Sequence, residues 1–171
     1  MKISKSRAFH FTNSFFQRFR KTKLWIEKTK SDAKKDGFIT TMLGRRRYLE
    51  DINSHDKQKI ANAERQAVNS VIQGSAADLM KLSMLKIGSY IMRLSKHNFE
   101  KSTHWVEPKM LLSIHDELLF EVADDKAEIN QFMKAIQNCC VKECEHDLKL
   151  RVPLKLNCCV GKFWGNMKPC N

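Results

Sequence analysis

The chain has 171 residues, of which 42% are hydrophobic and 29% are charged. Such a composition is typical of a globular domain with its own core and excludes a low-complexity protein. Because no apolar run approaches the roughly 18 residues of a membrane-spanning helix, we expect a soluble chain with no membrane partner.

Positive charge is concentrated near the N-terminus. Residues 1–47 contain 14 Lys and Arg against 3 Asp and Glu, which gives +11 of the total net charge of +12. A phosphate backbone is the natural counterpart of such a segment, and binding to it would weaken as salt is added. Solubilising lysines on an exposed helix are the alternative, and binding through charge alone carries no sequence information.

The first predicted element is a helix over roughly residues 5–35. Phe11, Phe15 and Phe19 recur every four residues, as one buried stripe of a helix requires. The same segment is rich in Arg and has no acidic residue before Glu27, which is also the pattern of a mitochondrial presequence. Targeting is therefore an alternative reading of this segment.

A longer helix is predicted from about residue 58 to about residue 93, because no proline interrupts this segment and alanine is frequent. Arg65, Asn69 and Gln73 follow one another at intervals of four and form one slowly drifting stripe on this helix. Their guanidinium and amide donors suit the acceptors of the DNA minor groove, where adenine N3 and thymine O2 look alike. A solvated polar stripe on an amphipathic helix is the alternative.

A β-hairpin is predicted next. Two apolar runs, residues 110–114 and 118–122, are separated by His115, Asp116 and Glu117, where the chain should turn. Carboxylates between two buried strands are costly unless a cation or hydrogen bonds compensate them. The strands also look too apolar for a sheet edge. A turn open to solvent, where Asp is common, is the alternative.

The C-terminal part is predicted to contain a helix from residue 126 to about 145 and a half-buried strand over residues 148–160, where apolar and polar residues alternate. Six cysteines occur without a Cys-x-x-Cys spacing, which favours free thiols in a reducing compartment over a zinc ribbon or a disulfide scaffold. A metal shared by Cys140, Cys144 and His146 is the alternative.

Four stretches, in this order and spacing, closely resemble the C-terminal catalytic region of the family A DNA polymerases. They are residues 37–49, which contain Gly-Arg-Arg-Arg, residues 63–78 of the long helix, the His-Asp-Glu hairpin, and residues 161–165. Within the family the chain is most similar to the eukaryotic nu and theta branch. The short connection from Ile87 to Met110 favours nu.

The resemblance implies a role for the hairpin in catalysis. Asp116 is similar to one of two carboxylates that hold a pair of Mg²⁺ ions, Glu117 lies close by, and His115 is similar to a histidine that contacts the primer terminus. In the family's reaction a primer 3′-hydroxyl attacks the α-phosphate of a nucleotide, and two metal ions stabilise the attacking and leaving oxygens.

The resemblance also implies two sets of DNA-contacting residues. Arg65, Asn69 and Gln73 are similar to the residues that line the minor groove of the newest base pairs. Arg45, Arg46 and Arg47 are similar to a basic turn beside the template backbone.

The sequence departs from the family pattern as well. Ser113 stands where the family usually has glutamine, so one donor near the primer end is shortened or lost. No segment resembles the Asp-Tyr-Ser strand that supplies the first metal carboxylate, or the fingers helix that holds the incoming nucleotide. We therefore expect a fragment that does not polymerise alone and whose partners are primer–template DNA, deoxynucleoside triphosphates and the missing N-terminal half.

The predicted fold class is α+β, with long helices packed on a small antiparallel sheet as a partial palm and fingers. Residues 1–93 would form the back of the fingers and the duplex-facing helix, residues 94–109 a connector, and residues 110–171 part of the palm. The predicted function is template-directed DNA synthesis in the nucleus, in repair or lesion bypass. A non-catalytic DNA-binding or regulatory fragment is the alternative function, and the mitochondrion is the alternative location.

Overall fold

The structure is a computed structural model that describes residues 3–99 and 105–170. It combines helices with small antiparallel sheets, which confirms the predicted α+β class. The chain divides into two compact units at residue 75, and each unit is described by itself. Part of the predicted connector, residues 100–104, lies outside the described residues. No helix among the described residues combines the length and the apolar character that crossing a membrane requires.

The first unit is formed by helices and one short β-hairpin. Its elements are α1 (Lys5–Arg18), α2 (Arg20–Asp36), β1 (Phe38–Thr40), β2 (Arg46–Tyr48), a 3-10 helix (Glu50–Asn53) and the first part of α3 (Lys57–Phe99). Strands β1 and β2 are antiparallel, with Ile39 opposite Arg47. Helix α2 ends at Gly37, whose φ of +75° is the left-handed conformation that favours glycine, and the chain turns there into β1.

The N-terminal helix predicted over residues 5–35 is broken at Phe19, where φ is −108° and ψ is 59°. The expected burial of the phenylalanine stripe was wrong, since Phe11, Phe15 and Phe19 are about half exposed. Instead of packing in a core, the rings of Phe15 and Phe19 contact each other with centroids 4.8 Å apart, and the guanidinium of Arg7 lies over Phe11. Periodicity indicates which side chains share a face, but it does not supply an element that covers the face.

The core of the first unit joins α2, the hairpin, the 3-10 helix and α3. Its buried members are Ala33, Ile39, Leu49, Ile52, Ala63 and Ala67. Alanines at fully buried helical positions allow close approach, because they bring no side chain beyond Cβ. This packing fixes the β1–β2 hairpin against the N-terminal part of α3.

The second unit packs the C-terminal part of α3 with a hairpin and a helical segment. Its further elements are β3 (Lys109–Ile114), β4 (Glu117–Glu121), α4 (Lys126–Gln137), a π-helical turn (Asn138–Lys142), α5 (Glu143–Asp147), β5 (Cys159–Val160), a 3-10 helix (Trp164–Asn166) and β6 (Lys168–Pro169). Its core centres on Ile87 of α3, Phe132 of α4 and Cys139, with partly buried side chains of β3 and β4 packed against them. The predictions of the long helix, the hairpin and the helix after residue 126 are confirmed.

The strand predicted over residues 148–160 was wrong for most of its length. Only Cys159–Val160 form a strand, which pairs with β6. The segment before this strand forms hydrogen bonds with Glu145 of α5 instead of with a strand. Leu150 N–H donates to the Glu145 carbonyl at 3.0 Å, and Leu154 N–H donates to the Glu145 carboxylate at 2.6 Å. Lys149 has φ of +49°, which no strand residue adopts.

Candidate nucleic-acid interface and metal-binding hairpin

The turn between β1 and β2 presents the arginines of the Gly-Arg-Arg-Arg motif. Thr41 and Arg45 close the turn through a backbone hydrogen bond of 2.9 Å, and Gly44 N–H donates to the Thr41 carbonyl at the same distance. Gly44 adopts φ of +81°, which explains why glycine precedes the three arginines. The tight turn leads directly into β2, so the arginines lie at the start of a regular strand.

Three hydrogen bonds fasten this turn to helix α3. The backbone N–H of Met42 donates to Ser75 Oγ at 3.0 Å. Arg45 Nη2 donates to the carbonyl oxygen of Gly74 at 3.1 Å, and Arg47 Nη1 donates to Ser70 Oγ at 2.8 Å. The turn is therefore held at its tip, its middle and its end.

Four predicted DNA-contacting side chains meet around one concavity of about 200 Å³ within the first unit. We call it the arginine–amide pocket, and its lining consists of Ile39, Thr41, Arg45, Arg47, Asn69, Ser70, Gln73 and Gly74. Among the described residues the lining contains two guanidinium groups and two neutral amides. Such a donor set suits the oxygen acceptors of phosphates, sugars and base edges.

The other two predicted DNA-contacting side chains do not line the arginine–amide pocket. Arg46 lies over the ring of Phe38 at 4.8 Å, because neighbouring residues of a strand project to opposite faces. Arg65 donates to the side-chain oxygen of Asn62 on the exposed surface of α3.

Sequence reasoning missed two polar residues of this pocket, Thr41 and Ser70. Both are buried, with exposed fractions of 7% and 6%. Thr41 Oγ1 accepts the backbone N–H of Arg45 at 3.1 Å, while Ser70 Oγ accepts from Arg47. A hydroxyl at a buried helical position was the only signal that could have identified Ser70 in the sequence.

Glu64, the acid next to Arg65, has a structural role in the first unit. Its carboxylate pairs with Lys34 at 2.6 Å and with Lys30 at 2.9 Å, which ties α2 to α3. Hydrogen bonds from Lys34 and then from Lys30 lower the pKa of the Glu64 carboxyl below its ordinary value. The negative charge of Glu64 is therefore compensated by two lysines of α2.

The His-Asp-Glu stretch forms the tip of the β3–β4 hairpin in the second unit. Ile114 pairs with Glu117, so His115 and Asp116 are the two turn residues. His115 has φ of +54°, a conformation in which histidine is enriched among non-glycine residues. All three polar side chains are exposed. The hairpin prediction is confirmed, and its tip is open to solvent.

The expectation that these strands are too apolar for a sheet edge was wrong. Within the described residues β3 and β4 form a two-stranded sheet, so each has a free edge. A bulge between Met110 and Leu112 interrupts the pairing, and Leu111 and Leu112 are nearly half exposed.

The hairpin tip fits Mg²⁺ in the type of its donors. Carboxylate oxygens are hard ligands, and Mg²⁺ is commonly bound through one or two carboxylates together with water and substrate phosphates. Asp116 and Glu117 are accessible to such an ion. Elsewhere in the described part of the chain, and at this tip, no group of three His, Cys, Asp or Glu side chains could hold a metal. Ligands in addition to Asp116 and Glu117 would have to be water, substrate phosphates or residues outside the described part of the chain.

The six cysteines are all free thiols. Burial raises the pKa of Cys140 to about 11, and burial also raises the pKa values of Cys139 and Cys158. Cys144 is fully buried and donates to the Cys139 carbonyl at 3.1 Å. Burial therefore disfavours the thiolate forms of Cys139, Cys140 and Cys158. The described residues do not place Cys140, Cys144 and His146 together as a possible metal site.

Comparison with known proteins gives consistent matches. The family model described as DNA polymerase family A matches residues 1–166. DNA polymerase I of Caldicellulosiruptor bescii is 35% identical over 168 residues, which are 98% of this chain and 18% of the relative. DNA polymerase theta of Drosophila melanogaster is 36% identical over 168 residues, which are 98% of this chain and 8% of the relative.

A solved structure shows the same fold. It is described as the POL domain of Pol1 from M. smegmatis in complex with DNA primer-template and dNTP. It has 33% sequence identity and a TM-score of 0.70, and the match covers 81% of this chain and 22% of that chain.

These comparisons fix the family and leave its branch open. The chain spans about a fifth or less of the length of the curated relatives described above. Bacterial and eukaryotic relatives match at nearly equal identity, so the nu or theta branch stays a prediction. Since the family model covers almost the whole chain and the fold agrees, this chain belongs to family A of the DNA polymerases.

Proposed function

We propose that this chain is the duplex-gripping and primer-end part of a DNA-directed DNA polymerase, a nucleotidyltransferase that adds deoxynucleotides to a primer 3′ end. One observation carries the proposal: in a chain of this family, Arg45, Arg47, Asn69 and Gln73 surround a single pocket. Primer–template DNA and deoxynucleoside triphosphates are the proposed partners. The solved structure that resembles the chain was determined with such ligands.

The two kinds of side chain in the arginine–amide pocket have different tasks in this proposal. The guanidinium groups of Arg45 and Arg47 neutralise phosphate charge, which gives affinity but no sequence information. The amides of Asn69 and Gln73 donate to minor-groove acceptors, which look alike in A·T and T·A pairs. Arg65 on α3 and Arg46 on the opposite face of β2 are also exposed, and in this proposal they contact neighbouring nucleotides.

The hairpin tip serves the primer end in this proposal. Asp116 supplies a carboxylate ligand for Mg²⁺, Glu117 supports the negative charge of the site, and His115 donates a hydrogen bond to the primer terminus. Bound Mg²⁺ ions would stabilise the charge that develops on the attacking and leaving oxygens. Exposure of all three side chains supports these roles, because a primer end can approach them.

We further infer that the chain needs the remaining part of a family A catalytic domain in order to polymerise. An apolar groove of about 820 Å³ that is open among the described residues of the second unit supports this inference. Its apolar lining includes Met84, Leu85, Gly88, Ile91, Met110 and Leu111. Leu85 is 70% exposed there. Large exposed apolar patches usually mark interaction sites, and the relatives are several times longer than this chain.

Duplex binding is the first test of the proposal. A labelled primer–template duplex is titrated with the full chain at about 50 and about 200 mM salt, and affinity should fall with a log–log slope of about −0.9 per phosphate neutralised. Replacing both Arg45 and Arg47 by Ala should weaken binding and flatten the slope. Binding that is absent at low salt, or unaffected by salt, would contradict the proposal.

A non-catalytic DNA-binding or regulatory fragment is the second candidate function. It is favoured by the position of the arginine–amide pocket, which lies entirely in the first unit. The β3–β4 hairpin, which carries His115, Asp116 and Glu117, contributes no residue to its lining. Adding the upstream catalytic segment of Drosophila polymerase theta and measuring nucleotide incorporation with Mg²⁺ separates the two. Incorporation that depends on this chain supports the polymerase. Duplex binding without incorporation, when the matching segment of theta restores activity in parallel, supports the fragment.

A role in repair or lesion bypass, and a location in the nucleus, are proposals that depend on the resemblance to the nu and theta branch. The mitochondrion is the alternative location because of the basic N-terminal segment. Imaging of a C-terminally tagged chain in cells tests the location. Extension of a primer past an abasic site by the reconstituted enzyme tests lesion bypass.

A further inference from the structure

We propose that Ser70 is a positioning residue that holds the guanidinium of Arg47 at the wall of the arginine–amide pocket, ready to bind a nucleic-acid phosphate. The inference deepens the proposed function and depends on its duplex-binding part. Ser70 touches Arg47, not the nucleic acid, in this proposal.

The first observation is the long-range hydrogen bond between the Ser70 hydroxyl and an arginine. Three other serines of α3, namely Ser75, Ser89 and Ser95, donate to the carbonyl four residues earlier in the helix. This is the ordinary local bond of a helical serine. Ser70 Oγ accepts Arg47 Nη1 across 23 residues of sequence, at 2.8 Å. Ser75 Oγ also accepts a bond from outside the helix, from the backbone N–H of Met42, whereas the partner of Ser70 is a guanidinium. Its hydroxyl is therefore used for a tertiary contact.

The second observation is the difference in burial between the two partners. Ser70 is 6% exposed, so its hydroxyl is fixed by the surrounding helix and core. Arg47 belongs to β2, all of whose residues are exposed. A long, exposed arginine would otherwise sample many rotamers and lose that freedom when a ligand binds. The bond to a rigid, buried partner restricts the guanidinium before the duplex arrives.

The third observation concerns charge. A serine hydroxyl is neutral, so it fixes the guanidinium without cancelling its positive charge. In the described part of the chain no carboxylate pairs with Arg47. A guanidinium has five N–H donors, and Ser70 engages one nitrogen, which leaves further donors for phosphate oxygens. Position and charge are both retained, which is what recognition of a phosphate requires.

The experiment measures duplex affinity and its salt dependence for the full chain and matched variants. Ser70→Ala removes the acceptor, Ser70→Thr restores a hydroxyl, and Ser89→Ala is the control for loss of a serine in the same helix. We expect Ser70→Ala to weaken binding roughly three- to tenfold and to flatten the salt slope by up to about 0.9. Ser70→Thr and Ser89→Ala should bind like the wild-type chain.

A double-mutant cycle distinguishes positioning from a general structural effect. In an Arg47→Ala background, Ser70→Ala should cause no further loss, because the side chain that Ser70 holds is gone. An equal loss in both backgrounds, or wild-type affinity and slope for Ser70→Ala, would overturn the proposal. If Ser70→Ala loses helical circular dichroism, Ser70→Cys replaces it, since the thiol keeps the volume but is a weak acceptor.

One readout separates this inference from the proposed function. The side-chain ¹⁵N–¹H NMR signal of Arg47 reports the contact without any DNA, and it should become averaged in Ser70→Ala. A wild-type chain that shows the contact but binds no duplex overturns the proposed function and, with it, the role of Ser70. A chain that binds duplex normally after the contact is lost overturns the role of Ser70 alone.

Discussion

Gly74 lies so close to Thr41 that a Cβ atom at position 74 would be 2.7 Å from Thr41 Cγ2, and it would be 3.3 Å from Arg45 Nη2. This approach allows Arg45 to reach the Gly74 carbonyl. A glycine in the middle of a helix costs about 1 kcal/mol relative to alanine, and the close approach gives that cost a reason.

Gly74→Ala should therefore displace the side chains of Thr41 and Arg45. We expect a steric cost of about 1–3 kcal/mol that cancels or exceeds the gain in helix propensity, together with weaker duplex binding. Gly88→Ala is the matched control in the same helix, because a Cβ there would meet nothing within 4 Å. Gly88→Ala should stabilise the chain by about 1 kcal/mol. Chemical denaturation checks both, and stabilisation by Gly74→Ala would contradict the explanation.

Glu64→Gln should destabilise the first unit in a pH-dependent manner. Because Lys34 and Lys30 lower the pKa of Glu64 in the folded chain, its stabilising effect is present above its ordinary pKa of 4.5 and is lost as pH falls through the lowered value. We expect a loss of roughly 1 kcal/mol at pH 7 that shrinks under acid conditions.

Urea denaturation at several pH values measures this difference. Asp32→Asn is the control, because the exposed pair between Asp32 and Lys28 lies within one helix. It should change the free energy of unfolding by less than about 0.5 kcal/mol. A Glu64→Gln effect that is constant across the pH range would mean that the charge of this carboxylate has no part in stability.

Cysteine reactivity should follow burial. Cys159 is exposed, whereas burial raises the pKa of Cys140 to about 11, which leaves very little reactive thiolate at neutral pH. We expect a maleimide to label Cys159 first and Cys140 much later, as followed by peptide mass spectrometry. In denaturant all six cysteines should react alike. Equal rates for Cys159 and Cys140 in the folded chain would contradict the burial described for the second unit.

Asp116→Asn should separate catalysis from duplex binding. In the reconstituted enzyme, loss of a metal carboxylate removes several kcal/mol of transition-state stabilisation, so incorporation should fall by roughly 100-fold or more. Duplex affinity should change less than about twofold, because the arginine–amide pocket is intact. Glu121→Gln, at the far end of β4 and paired only loosely with Lys109 at 3.9 Å, is the control. Near-normal incorporation by Asp116→Asn would rule out the ligand role.

Local sequence signals predicted the elements that position the candidate site. Helix α3 was predictable because Lys57–Phe99 contain no proline, and the hairpin because apolar runs flank His115 and Asp116. The sequence could not show that Arg46 projects to the face of β2 opposite to Arg45 and Arg47. The faces are assigned only once the first residue of β2 is known, and that residue depends on the turn at Gly44. It also could not show the contact between Ser70 and Arg47, because tertiary packing brings them together.

Two failures share a physical cause. The stripe of Phe11, Phe15 and Phe19 and the alternation over residues 148–160 were both regular patterns that predicted burial. A pattern describes one surface only, and burial needs a second surface to pack against it. In the second case Glu145 also offers both a carbonyl and a carboxylate as hydrogen-bond acceptors, and these compete with a strand partner.

The three bonds from the β1–β2 turn reach Ser70, Gly74 and Ser75, which are different points along one helix. Surface loops ordinarily tolerate added or deleted residues. The β1–β2 loop should not tolerate an added or deleted residue. One extra residue would move Arg45 and Arg47 away from their acceptors on α3, because successive residues of a helix are rotated by about 100°. Its length is thus set by the spacing of acceptors on α3, and evolutionary change here should replace side chains without inserting or deleting positions.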